Sequence, residues 1–537
     1  MTKKFFLFIT FIVTCLQAEI TLNNINSKPP CTAKDFMIWQ YLKQDITPTQ
    51  ADKAYAQLNK KSNKVFYIYA KKTDDENIKK IASCKKKKDL LSIRDTECLN
   101  IALTPYKTIN LTKRQREELS KKIDSKKFKK LLKIQNEPFK QKAYAKYPPD
   151  TVLNFFLSTP TYYRRKNLNI YFDSDFINKL SSSWRISKFI KVVVTDNNLN
   201  KLQLALLNMD GKNLNAQNNF FLGLNQLRHS SEDEAINFFQ LSIKKSKHQR
   251  DIDKNYFWIY QITKDKKYLK KLLLSMDINI YTLYAHEILH ESVENYFTYL
   301  RSSDIKTKKD LTNPFDWNEI LKEIKSTPDG KLFSLARSYK HPDMMPVQSF
   351  IIQKAYSFKM HGYIMPYEKY LKGLDDDNKA LVYAIMRQES FYIPSAISRS
   401  YALGLMQLMP FLVDAIAKNC NEKVCYNDMF QPKNNIRYAL KHIKWMEKSL
   451  YHPLFIAYAY NGGMGFLRRY IKQDKFTHKK YEPFLSMEMM SNDESREYGK
   501  RVLANYVMYK RIMGDKTSIV YLFDTLMQPK KTDRFRQ

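Results

Sequence analysis

Glycine is scarce for a chain of this length: 11 in 537 residues, eight of them (Gly362, Gly373, Gly404, Gly462, Gly463, Gly465, Gly499 and Gly514) beyond residue 360. Tight hairpin turns and phosphate-cradling loops depend on that residue. The first two thirds therefore exclude a β-sandwich or a nucleotide-binding fold and point to helices joined by short polar turns. Apolar runs are short as well, none reaching the roughly 20 residues that cross a bilayer. The run Phe5 to Val13 follows Lys3 and Lys4 and precedes Leu16-Gln17-Ala18, so residues 1–18 read as a secretory signal with the mature chain starting near Glu19. Acidic side chains are in deficit, 54 against 91 Lys+Arg, and the net charge of +37 suits a polyanionic partner without identifying it. Residues 51–150 carry the densest basic excess, including Lys85 to Lys88. A hydrophobic fraction of 44% excludes a mostly disordered chain, and the length implies about three domains.

Five cysteines follow the signal: Cys31, Cys84, Cys98, Cys420 and Cys425. Export places them in an oxidising compartment, where an odd number leaves at least one unpaired within the chain. Proximity favours Cys84 with Cys98 and Cys420 with Cys425, although spacing alone does not fix connectivity. No second closely spaced cysteine pair completes a zinc site.

Amphipathic stretches separated by polar breaks run from about residue 30 to 300. Asn218 to Leu227, the cap-like Ser230-Ser231-Glu232-Asp233 and Ala235 to Ile243 form one such hairpin. Leu222-Gly223-Leu224, Ala235 and Phe238-Phe239 resemble a tetratricopeptide-like repeat, without a strict period, and a stacked superhelix is expected. Within the series, His286-Glu287-Ile288-Leu289-His290 matches the zinc-protease pattern H-E-x-x-H. Glu294 is too close on the same helix to act as a third ligand, and Tyr281, Leu283, Tyr284 and Leu289 make this an ordinary repeat helix, so no metal is expected.

Asp375-Asp376-Asp377 caps a helix predicted to run through Ser390. Leu381, Ala384, Ile385, Gln388 and Glu389 share its inward stripe, which directs a carboxylate toward a core. Burial and the negative end of the helix dipole both disfavour ionisation there, as a general acid requires.

The residues beyond Glu389-Ser390 supply Gly404-Leu405-Met406-Gln407-Leu408-Met409-Pro410, Ala459-Tyr460-Asn461-Gly462-Gly463, Glu494-Ser495-Arg496-Glu497-Tyr498 and Met513-Gly514-Asp515-Lys516, in that order. Together they resemble the soluble lytic transglycosylases, periplasmic enzymes that cleave peptidoglycan. The resemblance is strong over residues 365–520. It implies an all-α protein: signal 1–18, a ring-like helical superhelix 19–305, a helical linker domain 306–359 and a lysozyme-like, mainly helical catalytic domain 360–537. It further implies Glu389 as sole catalytic acid/base, with Ser398, Gln407, Met409, His442, Tyr460, Asn461, Glu494 and Tyr498 contacting substrate or shaping its site. No metal or cofactor is called for. The implied partners are glycan strands and muropeptides, with other cell-wall enzymes admitted. Nucleic acid and stable membrane insertion are not expected, and the protein is expected to be a periplasmic monomer.

The sequence departs from the family in three places. Tyr401-Ala402-Leu403-Gly404 replaces a normally small Gly-Ala-Ser-Gly run, so the cleft entrance is expected to differ. His442 stands where the family has tyrosine, as sugar contact or plain helix residue, and an Ile-Pro-Phe element before Glu494 is missing.

Ordinary glycosidases use two carboxylates, whereas only Glu389 has motif support. One suffices if the sugar's own C6 hydroxyl replaces water and closes a 1,6-anhydro ring. Competing readings are a hydrolytic muramidase with the same cleft, a catalytically silent helical-repeat binding protein, and the metalloprotease.

Overall fold

The computed structural model describes residues 20–304 and 307–537. The expected signal at residues 1–18 and the domain boundary expected at 305/306 lie outside the described residues.

Helices account for nearly all regular structure, in keeping with the scarcity of glycine. The strands among the described residues are one parallel pair, Tyr296–Phe297 with His361–Gly362. The N-terminal half is a succession of short helices from Leu22–Asn26 to Ile280–Ile288, most of them opened by a side-chain cap. Helices Ala216–His229 and Glu232–Lys245 form the expected hairpin. The Ser231 hydroxyl caps the second, with Glu232, Asp233 and Glu234 in its first turn. Phe220, Phe239 and Trp258 stack through this hairpin and the next helix, Gln249–Thr263.

Cys84 and Cys98 are joined, tying helix Glu76–Lys86 to Thr96–Ala102 over a small core with Leu90, Leu99, Leu119 and Leu132. The other pairing that proximity favoured is not formed. The Cys420 sulfur instead accepts from Lys441 Nζ at 2.8 Å. Helices Pro314–Ser326, Leu332–Ser338 and Met345–Ala355 enclose another small core, to which Ile393 contributes from just beyond the Glu389 helix.

In the C-terminal part, helix Asp376–Ser390 packs on the 20-residue helix Asp493–Ile512, which packs in turn on Pro453–Gly462. Gly499 permits the second approach: a Cβ there would stand 2.2 Å from the ring of the fully buried Tyr458.

The N-terminal series meets the C-terminal part at both its ends. At its start, Phe36 and Trp39 each lie 5.5 Å from Tyr401, and Gln40 reaches Asn427. At its end, helix Ile280–Ile288 packs on Asp493–Ile512 and on Ile519–Thr525. Between these ends, Lys191 pairs with Asp493 and Glu232 with Lys480. The bulky Tyr401 is thus buried in an aromatic cluster with the first helices, 365 positions upstream of it for Phe36.

The H-E-x-x-H match does not form one helical face. The helix ends at Ile288 and His290 sits beyond it at φ +59°. Glu287 accepts from Arg511 at 2.7 Å, from the Ser518 hydroxyl and from the Ile519 and Val520 amides, holding the first turn of helix Ile519–Thr525.

Candidate active site

Glu389 sits in the last turn of helix Asp376–Ser390. Asp375 opens that helix by accepting from the Asn378 amide, and Phe391 closes it in the left-handed region. Glu389 is half-buried, and desolvation pushes its carboxyl up to about 7. Two neighbours act on the same proton in opposite senses. Tyr498, on helix Asp493–Ile512, donates to Glu389 Oε1 at 2.8 Å and favours the carboxylate, while the charge of Glu494 disfavours it. Glu494 lies one turn before Tyr498, so both face the same side of that helix.

The segment after the helix is a tight turn held to it by hydrogen bonds. Ser390 Oγ donates to the Leu405 carbonyl at 2.8 Å. The buried Asn435 accepts from the Met406 amide at 2.8 Å and donates to the Leu403 and Met429 carbonyls, both at 2.9 Å. Gly404, at φ +75°, is required because a Cβ would stand 2.2 Å from the Met429 carbonyl oxygen and 2.3 Å from Asn435 Nδ2. Non-glycine residues Phe391, Tyr392, Tyr401 and Gln407 also have positive φ, a concentration of strain in the segment that follows the acid.

The remaining expected residues fall into two groups. In the turn, Gln407 donates to the Ala396 and Gly404 carbonyls, and the Ser398 hydroxyl accepts from the Ser400 and Ala402 amides. These bonds shape the turn, and no direct bond joins either side chain to Glu389 among the described residues. Met409, half-buried, precedes helix Pro410–Asn419 at its N-cap position without a side-chain hydrogen bond. On the facing helices, the Tyr460 hydroxyl donates to the Met406 carbonyl at 2.7 Å, and its ring lies 5.7 Å from that of His442. Burial lowers the His442 pKa, favouring the neutral imidazole. Asn461 joins the ends of two helices, donating to Glu494 at 3.4 Å and accepting from the Ser495 hydroxyl at 2.8 Å. A cavity of about 330 Å³ is lined by Gln388, the neighbour of Glu389, together with Arg387, Arg501 and Asn505.

Ser390 and Asn435 hold this geometry but carry no role in the sequence reading. Ser390 was visible as half of the Glu-Ser motif. Asn435 has no local signal, because its partners are backbone groups between 6 and 32 positions away.

Residues 370–483 match the family model described as the Transglycosylase SLT domain. That span is similar to an SLT domain. Glu389, the turn and Tyr460-Asn461 lie inside the matched span, whereas Glu494 and Tyr498 lie beyond it. The soluble lytic murein transglycosylase of Salmonella typhimurium is 24% identical over 218 residues, 39% of this chain and 33% of that protein. The one from Escherichia coli K12 is 24% identical over 217 residues, again 39% and 33%. The match thus spans about a third of the length of these curated relatives. A solved structure of the lytic transglycosylase Slt from Pseudomonas aeruginosa aligns over 94% of this chain and 90% of its own, at 14% identity and a TM-score of 0.47. No helix among the described residues is long and apolar enough to cross a membrane.

Proposed function

We propose that this protein is a peptidoglycan lytic transglycosylase, cutting the β-1,4 bond between N-acetylmuramic acid and N-acetylglucosamine without water, with Glu389 as its single acid/base. The observation that carries the reading is a half-buried carboxyl inside a span similar to an SLT domain, poised near neutrality and oriented by one tyrosine hydroxyl.

The protonated Glu389 gives its proton to the glycosidic oxygen as the C1–O bond breaks. The neighbouring acetamido oxygen of muramic acid holds the positive charge at C1. Glu389, now a carboxylate, removes the proton from the C6 hydroxyl of the same sugar, and the O6–C1 bond closes the 1,6-anhydro ring. Glu389 ends protonated and no water is consumed. Internal closure avoids the entropy of recruiting a second molecule. Tyr498 orients the carboxylate, and the remaining residues of the turn and facing helices line the path of the strand. The net charge of +37 suits a polyanionic sacculus. Residues 1–18 direct export, and the protein acts in the periplasm as a monomer with superhelical, linker and catalytic domains.

A hydrolytic course is favoured by one observation, the charge of Glu494 felt at Glu389, since a second carboxylate could activate water. The bond from Asn461 and the exposed position of Glu494 favour a site-shaping role instead. Glu389→Gln is expected to lower release of soluble muropeptides from sacculi at least about 100-fold. Undiminished release by the purified variant would remove Glu389 from the mechanism.

A further inference from the structure

Helix Pro432–Glu447 turns Tyr438, Ala439, Ile443 and Met446 into the core and leaves Trp445 52% exposed. Single exposed aromatics are common and need no explanation. Trp445 differs in what it continues. Its ring lies parallel to His442 (5.7 Å, 11°), His442 lies 5.7 Å from Tyr460, and Tyr460 hydrogen-bonds the Met406 carbonyl in the turn beside Glu389. Three rings thus run outward from the acid: Tyr460 and His442 half-buried, Trp445 exposed. Among the described residues no cation and no other ring packs on Trp445, whereas the more exposed Trp184 is covered by Arg185 at 3.9 Å. Neither ring nitrogen of His442 has a hydrogen-bond partner among the described residues.

A pyranose ring presents an apolar C–H face and a rim of hydroxyl and acetamido groups. The first suits an open indole face, and the second suits a neutral imidazole able both to donate and to accept. We propose that Trp445 is the stacking platform of an outlying sugar subsite, with His442 hydrogen-bonding the rim of the same N-acetylhexosamine. The inference rests on the transglycosylase reading for the identity of the strand, and it adds a binding residue that none of the motifs contains.

The test is direct binding of a hexamer of β-1,4-linked N-acetylglucosamine to full-length protein carrying Glu389→Gln, followed by calorimetry and by tryptophan fluorescence. Trp445→Ala is expected to weaken binding about tenfold, which corresponds to about 1.4 kcal/mol. Trp445→Phe is expected to keep affinity within about threefold while abolishing the fluorescence response, since it retains a stacking face without the indole. The disaccharide, too short to reach both acid and platform, is expected to bind equally to all three proteins. Unchanged hexamer affinity in Trp445→Ala, or an undiminished fluorescence response in Trp445→Phe, overturns the inference. Its failure is separate from failure of the transglycosylase reading: a wild-type protein that binds the hexamer through Trp445 but does not cut sacculi would refute the reaction and keep the subsite.

Discussion

The chemistry at the residue scale is a contest over one proton. Burial and Glu494 hold it on Glu389, and the Tyr498 hydroxyl favours its release. Activity that requires the protonated acid should fall as pH rises through about 7. Tyr498→Phe removes the bond that stabilises the carboxylate, so the alkaline limb of the pH–rate profile moves to higher pH. Glu494→Gln removes a repelling charge and moves that limb to lower pH. Shifts of the same sign in both variants would contradict the assignment.

The same proton sets a stability signature. An unfolded glutamate releases it near 4.5, while the folded protein holds it to about 7, so wild-type stability declines as pH rises between these values. Glu389→Gln should therefore be more stable than wild type at pH 8, by about 1–2 kcal/mol after allowing for the side left open to solvent, and equal to it below pH 4. Urea unfolding at the two pH values measures this. The acid itself was legible in sequence, because an acidic cap and an apolar stripe fix the helix and the face on which Glu389 falls. The bond from Tyr498 was not, since it spans 109 positions between two helices whose packing no local pattern encodes.

At the scale of elements, helix Asp493–Ile512 carries the positioning. Its Lys500, 4% exposed, donates to both oxygens of Glu488 at 3.0 Å and to the Tyr281 hydroxyl at 3.2 Å, so a buried charge cluster fixes this helix against Ile280–Ile288. Lys500→Met removes the closest cation from Glu488, leaving it the Tyr281 hydroxyl and Arg496 at 4.0 Å, and is expected to cost about 3 kcal/mol, while adding Glu488→Leu restores at least half of it. Equal losses in the single and double variants, measured by urea unfolding, would show that the cluster contributes by packing alone. Caps at Asp375 and Ser231 made helix starts readable. The H-E-x-x-H match misled for a physical reason: a pattern states spacing, but the helix stops at Ile288 and Glu287 serves a neighbouring helix 231 or more residues away.

The whole molecule explains the departure at Tyr401. Glycine-poor sequence gave the all-helical class, but nothing local announced that Tyr401 would be buried under Phe36 and Trp39. That cluster ties the first helices to the turn carrying Ser398 and Gln407. Trp39→Ala is expected to cost about 3–5 kcal/mol at this contact and to speed amide exchange across residues 398–407. Unchanged exchange there would mean that the two ends of the helical series are held independently of this turn.

The central claim is that one carboxyl suffices because the sugar supplies its own nucleophile. Mass analysis of the muropeptides released from purified sacculi by the wild-type protein tests it most directly. The account predicts products one water lighter than hydrolysis gives, ending in 1,6-anhydro-N-acetylmuramic acid. Reducing-end N-acetylmuramic acid as the main product would contradict it.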